Sequence, residues 1–91
     1  MDAGNGVSRL LVIGAGTMGA GIAQVAASAG CHVDLFDAVA GVAESAVGRI
    51  GDSLARARSK GHVTAADADR TVANLFPVAE LSTADQADVV L

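Results

Sequence analysis

The 91 residues contain no tryptophan and no tyrosine, and two phenylalanines are the only aromatic side chains. A single proline leaves little to interrupt regular elements, and a single cysteine, Cys31, rules out an internal disulfide. One cysteine and two histidines make no zinc cluster at any recognised spacing, so no metal site is expected. A reducing, cytoplasmic setting fits this cysteine usage. Basic residues are also few. Six Lys and Arg against ten Asp and Glu give a net charge of −4, which offers no general attraction to nucleic acid or to an anionic membrane. At this length the chain makes one modest domain, and a two-domain enzyme does not fit.

What is present is apolar. Hydrophobic residues make up 52% and charged residues 18%, which excludes an intrinsically disordered chain. Alanine fills 20 of the 47 apolar places, so the core is built by close packing of small side chains. Leu10 to Val33 is a run of 24 residues without Asp, Glu, Lys or Arg, long enough in principle to span a bilayer. Arg9, the apolar stretch and Ala27-Ser28-Ala29 also imitate a signal peptide. Both readings fail on Gly14, Gly16, Gly19, Gly21 and Gly30, which crowd the run where a membrane helix is most regular.

The pattern along the chain alternates between two periods. Residues 1–7 read as a short disordered leader. Leu10-Leu11-Val12-Ile13 is a continuous apolar run, as in a strand buried on both faces of a parallel sheet. From Met18 a helical period takes over through Met18, Ile22, Val25, Ala26 and Ala29, and Gly30 supplies the stop. His32 to Asp37 is a second strand. A long helix is predicted from Val39 to about Lys60, with Val39, Val42, Ala43, Ala46, Val47, Ile50, Leu54 and Ala57 in one stripe and Gly61 closing it. Thr64-x-x-Asp67 and Ser82-x-x-Asp85 resemble helix caps and predict short helices starting near residues 65 and 83. Leu75-Phe76-Pro77-Val78 is a strand that its proline confines to a sheet edge or end, and Asp88 to Leu91 begins another. This order is the first, mononucleotide-binding half of an α/β Rossmann-type, doubly wound parallel sheet.

Gly14-Ala15-Gly16-Thr17-Met18-Gly19 matches G-x-G-x-x-G, a weak signal alone. Here it follows a buried strand, opens a helix and precedes Asp37 at the end of the next strand. Gly14 permits the tight turn, Gly16 lets backbone approach a pyrophosphate, and Gly19 allows the helix to pack close to the strand. Backbone N–H groups near Thr17 and Met18 then face phosphate at the positive end of the helix. Asp37 is placed to accept from the ribose hydroxyls of a dinucleotide and to repel a 2′-phosphate, which makes NAD the expected cofactor over NADP. A turn or helix-capping role for Asp37 is compatible with this. A flavin dinucleotide uses the same turn and is the third choice.

Arg49, Arg56, Arg58 and Lys60 place four of the six basic residues within twelve positions. Such a group is either a solvated helix face or a site for an anion. Cys31 and His32 read as structural residues and His62 as an exposed loop residue; none falls in a recognisable nucleophile-base motif.

The stretch LLVIGAGTMGAGIAQVAASAGCHVDLFDA resembles the start of the (S)-3-hydroxyacyl-CoA dehydrogenases, including the 3-hydroxybutyryl-CoA dehydrogenases. Gly21-Ile22-Ala23 after the glycine motif makes the match more restrictive than the general pattern, and the Met18-Gly19-Ala20-Gly21 continuation argues against a flavoprotein. The resemblance implies that the helical excursion after the second strand helps to bind coenzyme A. It also implies that Ser53 and Lys60, seven residues apart, contact the acyl-CoA substrate. It implies reversible hydride transfer at the 3-hydroxyl carbon and a homo-oligomer. The family's catalytic histidine, its orienting glutamate and the serine and asparagine near the substrate have no counterpart here, so no catalytic residue is assigned. Residues 1–91 are accordingly expected to be a partial NAD-binding domain, without the rest of that domain or the helical domain. An apolar strand ending in a carboxylate at Leu91 agrees with a fragment. The alternative is a free-standing, non-catalytic module that binds nucleotide or self-associates.

Overall fold

Four short strands and three helices make up the described part of the computed structural model, residues 8–81 and 87–91. The leader at residues 1–7 and the helix start predicted near residue 83 lie outside the described residues. In chain order the elements are β1 (Arg9–Ile13), α1 (Thr17–Ser28), β2 (His32–Phe36), α2 (Val42–Ser59), α3 (Ala65–Ala73), β3 (Leu75–Val78) and β4 (Val89–Val90). The sheet order is β3-β2-β1-β4, and all three pairings are parallel. β1 therefore sits centrally, and the chain reverses its direction of travel across the sheet between β1 and β4. This is the doubly wound half that the alternating pattern predicts.

β1 is buried at Leu10, Leu11 and Val12, so the absence of polar alternation does reflect cover on both faces. Val33 and Leu35 of β2 are also fully enclosed. Truncating a side chain such as Leu35 to alanine costs about 2–5 kcal/mol through lost transfer energy and the residual cavity. Pro77 lies on β3, an edge strand of the described sheet, opposite Leu35.

α2 buries Ala43, Ala46, Ile50 and Leu54, the expected stripe. It begins at Val42 rather than Val39. Gly41 at the N-cap has a φ of +84°, a left-handed conformation that breaks the helical path upstream, and Val39 is exposed. At the other end Lys60 caps the helix and Gly61, with φ of +76°, turns the chain away as predicted. The Asp67 amide donates to the Thr64 side chain at 3.0 Å, which is the cap read from Thr64-x-x-Asp67.

α1 departs from the simplest reading of its pattern. Its buried residues are Ala23 and Ala27, whereas Met18 is 80% and Val25 71% exposed. The alanines win because they let the helix axis approach the sheet closely, leaving the larger side chains on the flank of the helix that faces Leu10 and Val89. Met18, Ile22 and Val25 line an open apolar groove of about 770 Å³ with Leu10, half-buried Cys31 and Val89. No helix among the described residues is long and apolar enough to cross a membrane.

Candidate functional site

The glycine turn occupies the carboxyl end of β1, beside the reversal in strand order where open parallel sheets place their ligand crevice. Its backbone is pinned to β2. The Gly14 amide donates to the Phe36 carbonyl at 2.7 Å, and the Ala15 amide donates to Asp37 Oδ2 at 2.8 Å. The other carboxylate oxygen, Oδ1, accepts from the Val39 amide at 2.9 Å. Those two backbone donors hold the Asp37 carboxyl below the usual carboxylate range, so it is an anion near neutral pH. Asp37 thus does have the turn role, and its half-exposed carboxylate sits directly against the glycine turn.

The three motif glycines differ in what surrounds them. Gly14 has φ of +101°, which a side chain rarely adopts. A Cβ on Gly19 would overlap the Gly14 carbonyl oxygen, so α1 can lie this close to the turn only with glycine there. A Cβ on Gly16 would meet nothing within 4 Å. Among the described residues no contact demands glycine at Gly16, and the open space above it fits a ligand's approach to backbone. Gly16 is also the N-cap of α1 and has no side chain to satisfy the first amides of the helix. There is no acidic residue in that first turn. Open backbone, unsatisfied donors and the positive helix end together suit a pyrophosphate. Thr17 and Met18 stand at this terminus, with the Met18 side chain directed into the apolar groove instead.

Next to Asp37, a shallow depression of about 190 Å³ is lined by Val39, Gly41, Ala43, Glu44 and Val78. A second, of about 240 Å³, lies between α1 and α2 and is lined by Thr17, Gly21, Gln24, Arg49, Ile50 and Ser53. Ser53 therefore shares a surface with the start of α1. Lys60 is exposed at the far end of α2.

Both histidines lie away from this crevice. His32 starts β2 at the opposite end of the sheet, stacks on Phe76 with ring centroids 4.1 Å apart, and pairs through Nε2 with Asp34 Oδ1 at 2.9 Å. His62 is exposed after α2. Among the described residues no group of three or more His, Cys, Asp or Glu is placed to hold a metal ion.

Sequence reasoning missed Asp34, which is 2% exposed and accepts from Arg9 at 3.1 Å as well as meeting His32. Burial pushes its carboxyl up, but the hydrogen bonds and charges of His32 and Arg9 outweigh this and leave it below the ordinary range. A carboxylate inside an apolar strand, with arginine and histidine heading the two paired strands, was the available signal. Asp88 was also missed. Its Oδ2 accepts from the Ser8 amide and hydroxyl and from the Arg9 amide, each at 2.9 Å, which holds its carboxyl below the ordinary range too.

Comparison with known proteins agrees with this geometry. Residues 9–91 match the family described as 3-hydroxyacyl-CoA dehydrogenase, NAD binding domain. The chain is 41% identical over 85 residues to a 3-hydroxyadipyl-CoA dehydrogenase of Escherichia coli, covering 93% of this chain and 18% of that protein. It is 35% identical to a probable 3-hydroxybutyryl-CoA dehydrogenase of Bacillus subtilis, covering 93% of this chain and 30% of that one. Among solved structures, a 3-hydroxybutyryl-CoA dehydrogenase from Escherichia coli superposes with a TM-score of 0.88 at 42% identity, over 92% of this chain and 18% of that one. An (S)-3-hydroxybutyryl-CoA dehydrogenase from Ralstonia eutropha superposes with a TM-score of 0.85 at 30% identity, over 92% and 30%. The chain spans between 18% and 30% of the length of these relatives. With a doubly wound half-sheet, a glycine turn held by an acidic strand end and a match over residues 9–91, the chain belongs to the 3-hydroxyacyl-CoA dehydrogenase family, as its NAD-binding domain.

Proposed function

We propose that this chain is the nucleotide-binding part of a polypeptide that interconverts 3-hydroxyacyl-CoA and 3-oxoacyl-CoA. The observation that carries the reading is the Asp37 carboxylate, held against the glycine turn by the Ala15 amide. NAD, when bound, supplies the hydride acceptor in one direction and, reduced, the donor in the other. Gly14, Gly16 and Gly19 shape the backbone that receives its pyrophosphate, and the amides at Thr17 and Met18 face that group. Asp37 accepts from the adenosine ribose while disfavouring a 2′-phosphate. The depression beside Asp37, with Val39 and Val78 in its wall, suits the flat apolar face of adenine.

Ser53 and Lys60 on α2 contact the acyl-CoA in this reading. The placement of Ser53 in the depression that also holds Thr17 supports it, because substrate and dinucleotide must meet. The group that takes the hydroxyl proton is not one of the two histidines described above. Residues 1–91 are then a partial dinucleotide-binding domain, and the length of the relatives supports this.

The decisive experiment is NADH oxidation by the full polypeptide with acetoacetyl-CoA as substrate. Turnover is expected. Dinucleotide binding without turnover of any 3-oxoacyl-CoA would instead favour a non-catalytic module. Self-association belongs to either reading. Sedimentation of the purified protein tests it.

A further inference from the structure

α1 and α2 each begin after the carboxyl end of a strand, β1 and β2, and those strands are parallel, so both turn the positive end of the helix dipole toward the crevice side of the sheet. Each also has a glycine N-cap, Gly16 and Gly41, with no side-chain hydrogen bond to the first amides. Backbone of this kind attracts anions. The two termini differ in charge. The first turn of α1 has no acidic residue, whereas the first turn of α2 has Glu44. Glu44 is exposed and enters none of the ion pairs among the described residues, which are Arg9–Asp34, His32–Asp34 and Arg70–Asp67. It lines the same depression of about 190 Å³ as Asp37, and no Lys, Arg or His among the described residues shares that wall. Asp37 alone would be a partial barrier to phosphate there. Both its oxygens already accept a backbone N–H, from Ala15 and Val39, and a bare α2 terminus would offset the repulsion that remains.

We propose that Glu44 is a second specificity-determining residue for the dinucleotide, whose carboxylate closes the α2 terminus to a ribose 2′-phosphate. This rests on the reading of Asp37 as the ribose acceptor and deepens it. The two helix ends then divide the work: the acid-free terminus of α1 receives the pyrophosphate, and the acid-bearing terminus of α2 refuses a further phosphate. An acid in the first turn also favours the helix itself. That is the same interaction, because a dipole already engaged with Glu44 is not left for phosphate. A ribose without the 2′-phosphate brings no charge to this wall, so Glu44 discriminates against NADP(H) and leaves NAD(H) alone.

The test titrates the full polypeptide with NADH by calorimetry and measures NADPH by its competition with bound NADH, which reads weak binding. Low salt keeps the surface charges unscreened. Glu44→Gln retains the size of the side chain and removes its charge. It is expected to tighten NADPH by about 3- to 10-fold, the range for one helix-terminus charge acting on a doubly charged phosphate, and to leave NADH unchanged. Asp52→Asn removes the same charge further along α2 and should alter neither nucleotide. Circular dichroism checks that each variant is folded. No gain in NADPH affinity in Glu44→Gln overturns the proposal. So does an equal gain for NADH, or an equal effect of Asp52→Asn, since either reduces Glu44 to general electrostatics. These outcomes leave the dinucleotide reading intact. If the unaltered protein binds no NADH, or binds NADPH as tightly, the reading of Asp37 fails and the proposal falls with it.

Discussion

Asp37 and Ala15 are joined by a 2.8 Å hydrogen bond from the Ala15 amide to the carboxylate, which ties the acidic end of β2 to the glycine turn after β1. One side chain therefore does two jobs. It sets the turn's position, and in the function proposed above its negative charge meets the ribose of a bound dinucleotide.

Replacing Asp37 by alanine should weaken NAD binding and narrow the preference for NAD over NADP, each by about 1–3 kcal/mol for a charged hydrogen-bond acceptor. Calorimetric titration of both dinucleotides measures it. Equal or tighter NADP binding by the unaltered protein would show that Asp37 is not at the ribose.

The motif glycines should separate stability from binding. Gly19→Ala forces a Cβ against the Gly14 carbonyl oxygen, and the backbone shift should cost about 1–3 kcal/mol or more. Gly16→Ala adds a methyl group to open space at a backbone conformation that alanine tolerates, so stability should change by less than about 0.5 kcal/mol. Its dinucleotide affinity should nevertheless fall. Thermal unfolding and NAD titration of the two variants give opposite orders of damage if the space over Gly16 is the pyrophosphate site.

Acid should unfold the domain through its tied carboxylates. Asp34, Asp37 and Asp88 all have folded pKa values below the ordinary carboxylate value. Their contribution is complete above the unfolded value of about 3.9 and is lost as pH falls through the lower, folded values. Unfolding followed by circular dichroism should show stability falling below about pH 4. Asp34→Asn should remove part of that dependence and about 1–3 kcal/mol at neutral pH, because Arg9 loses a charged acceptor. A variant with an unchanged acid profile would place the titration elsewhere.

Residues 1–91 by themselves should reduce acetoacetyl-CoA only at background rate, even with NADH bound. Reduction needs a proton donor within hydrogen-bond reach of the substrate oxygen, the group that serves as base in the reverse reaction, and His32 and His62 both lie away from the glycine turn. Turnover that survives repurification and disappears in His62→Ala would move the catalytic centre.

The sequence by itself determined the order of elements and the dinucleotide turn, because both rest on local chemistry. Unbroken apolar runs make buried strands, glycines admit turns that other residues resist, and Thr64 caps a helix through its own Asp67. Tertiary structure decided which face of α1 meets the sheet. Periodicity marks Met18, Ile22 and Val25 as one stripe, but only the packed distance between helix and sheet selects Ala23 and Ala27 for burial. It also decided the fate of Asp34, since a buried carboxylate survives only where Arg9 and His32 reach it from the paired ends of β1 and β2. The same holds for α2. A count of basic residues treats Arg49 and Arg58 alike, whereas the packing of Ile50 and Leu54 against the core sends them to opposite flanks.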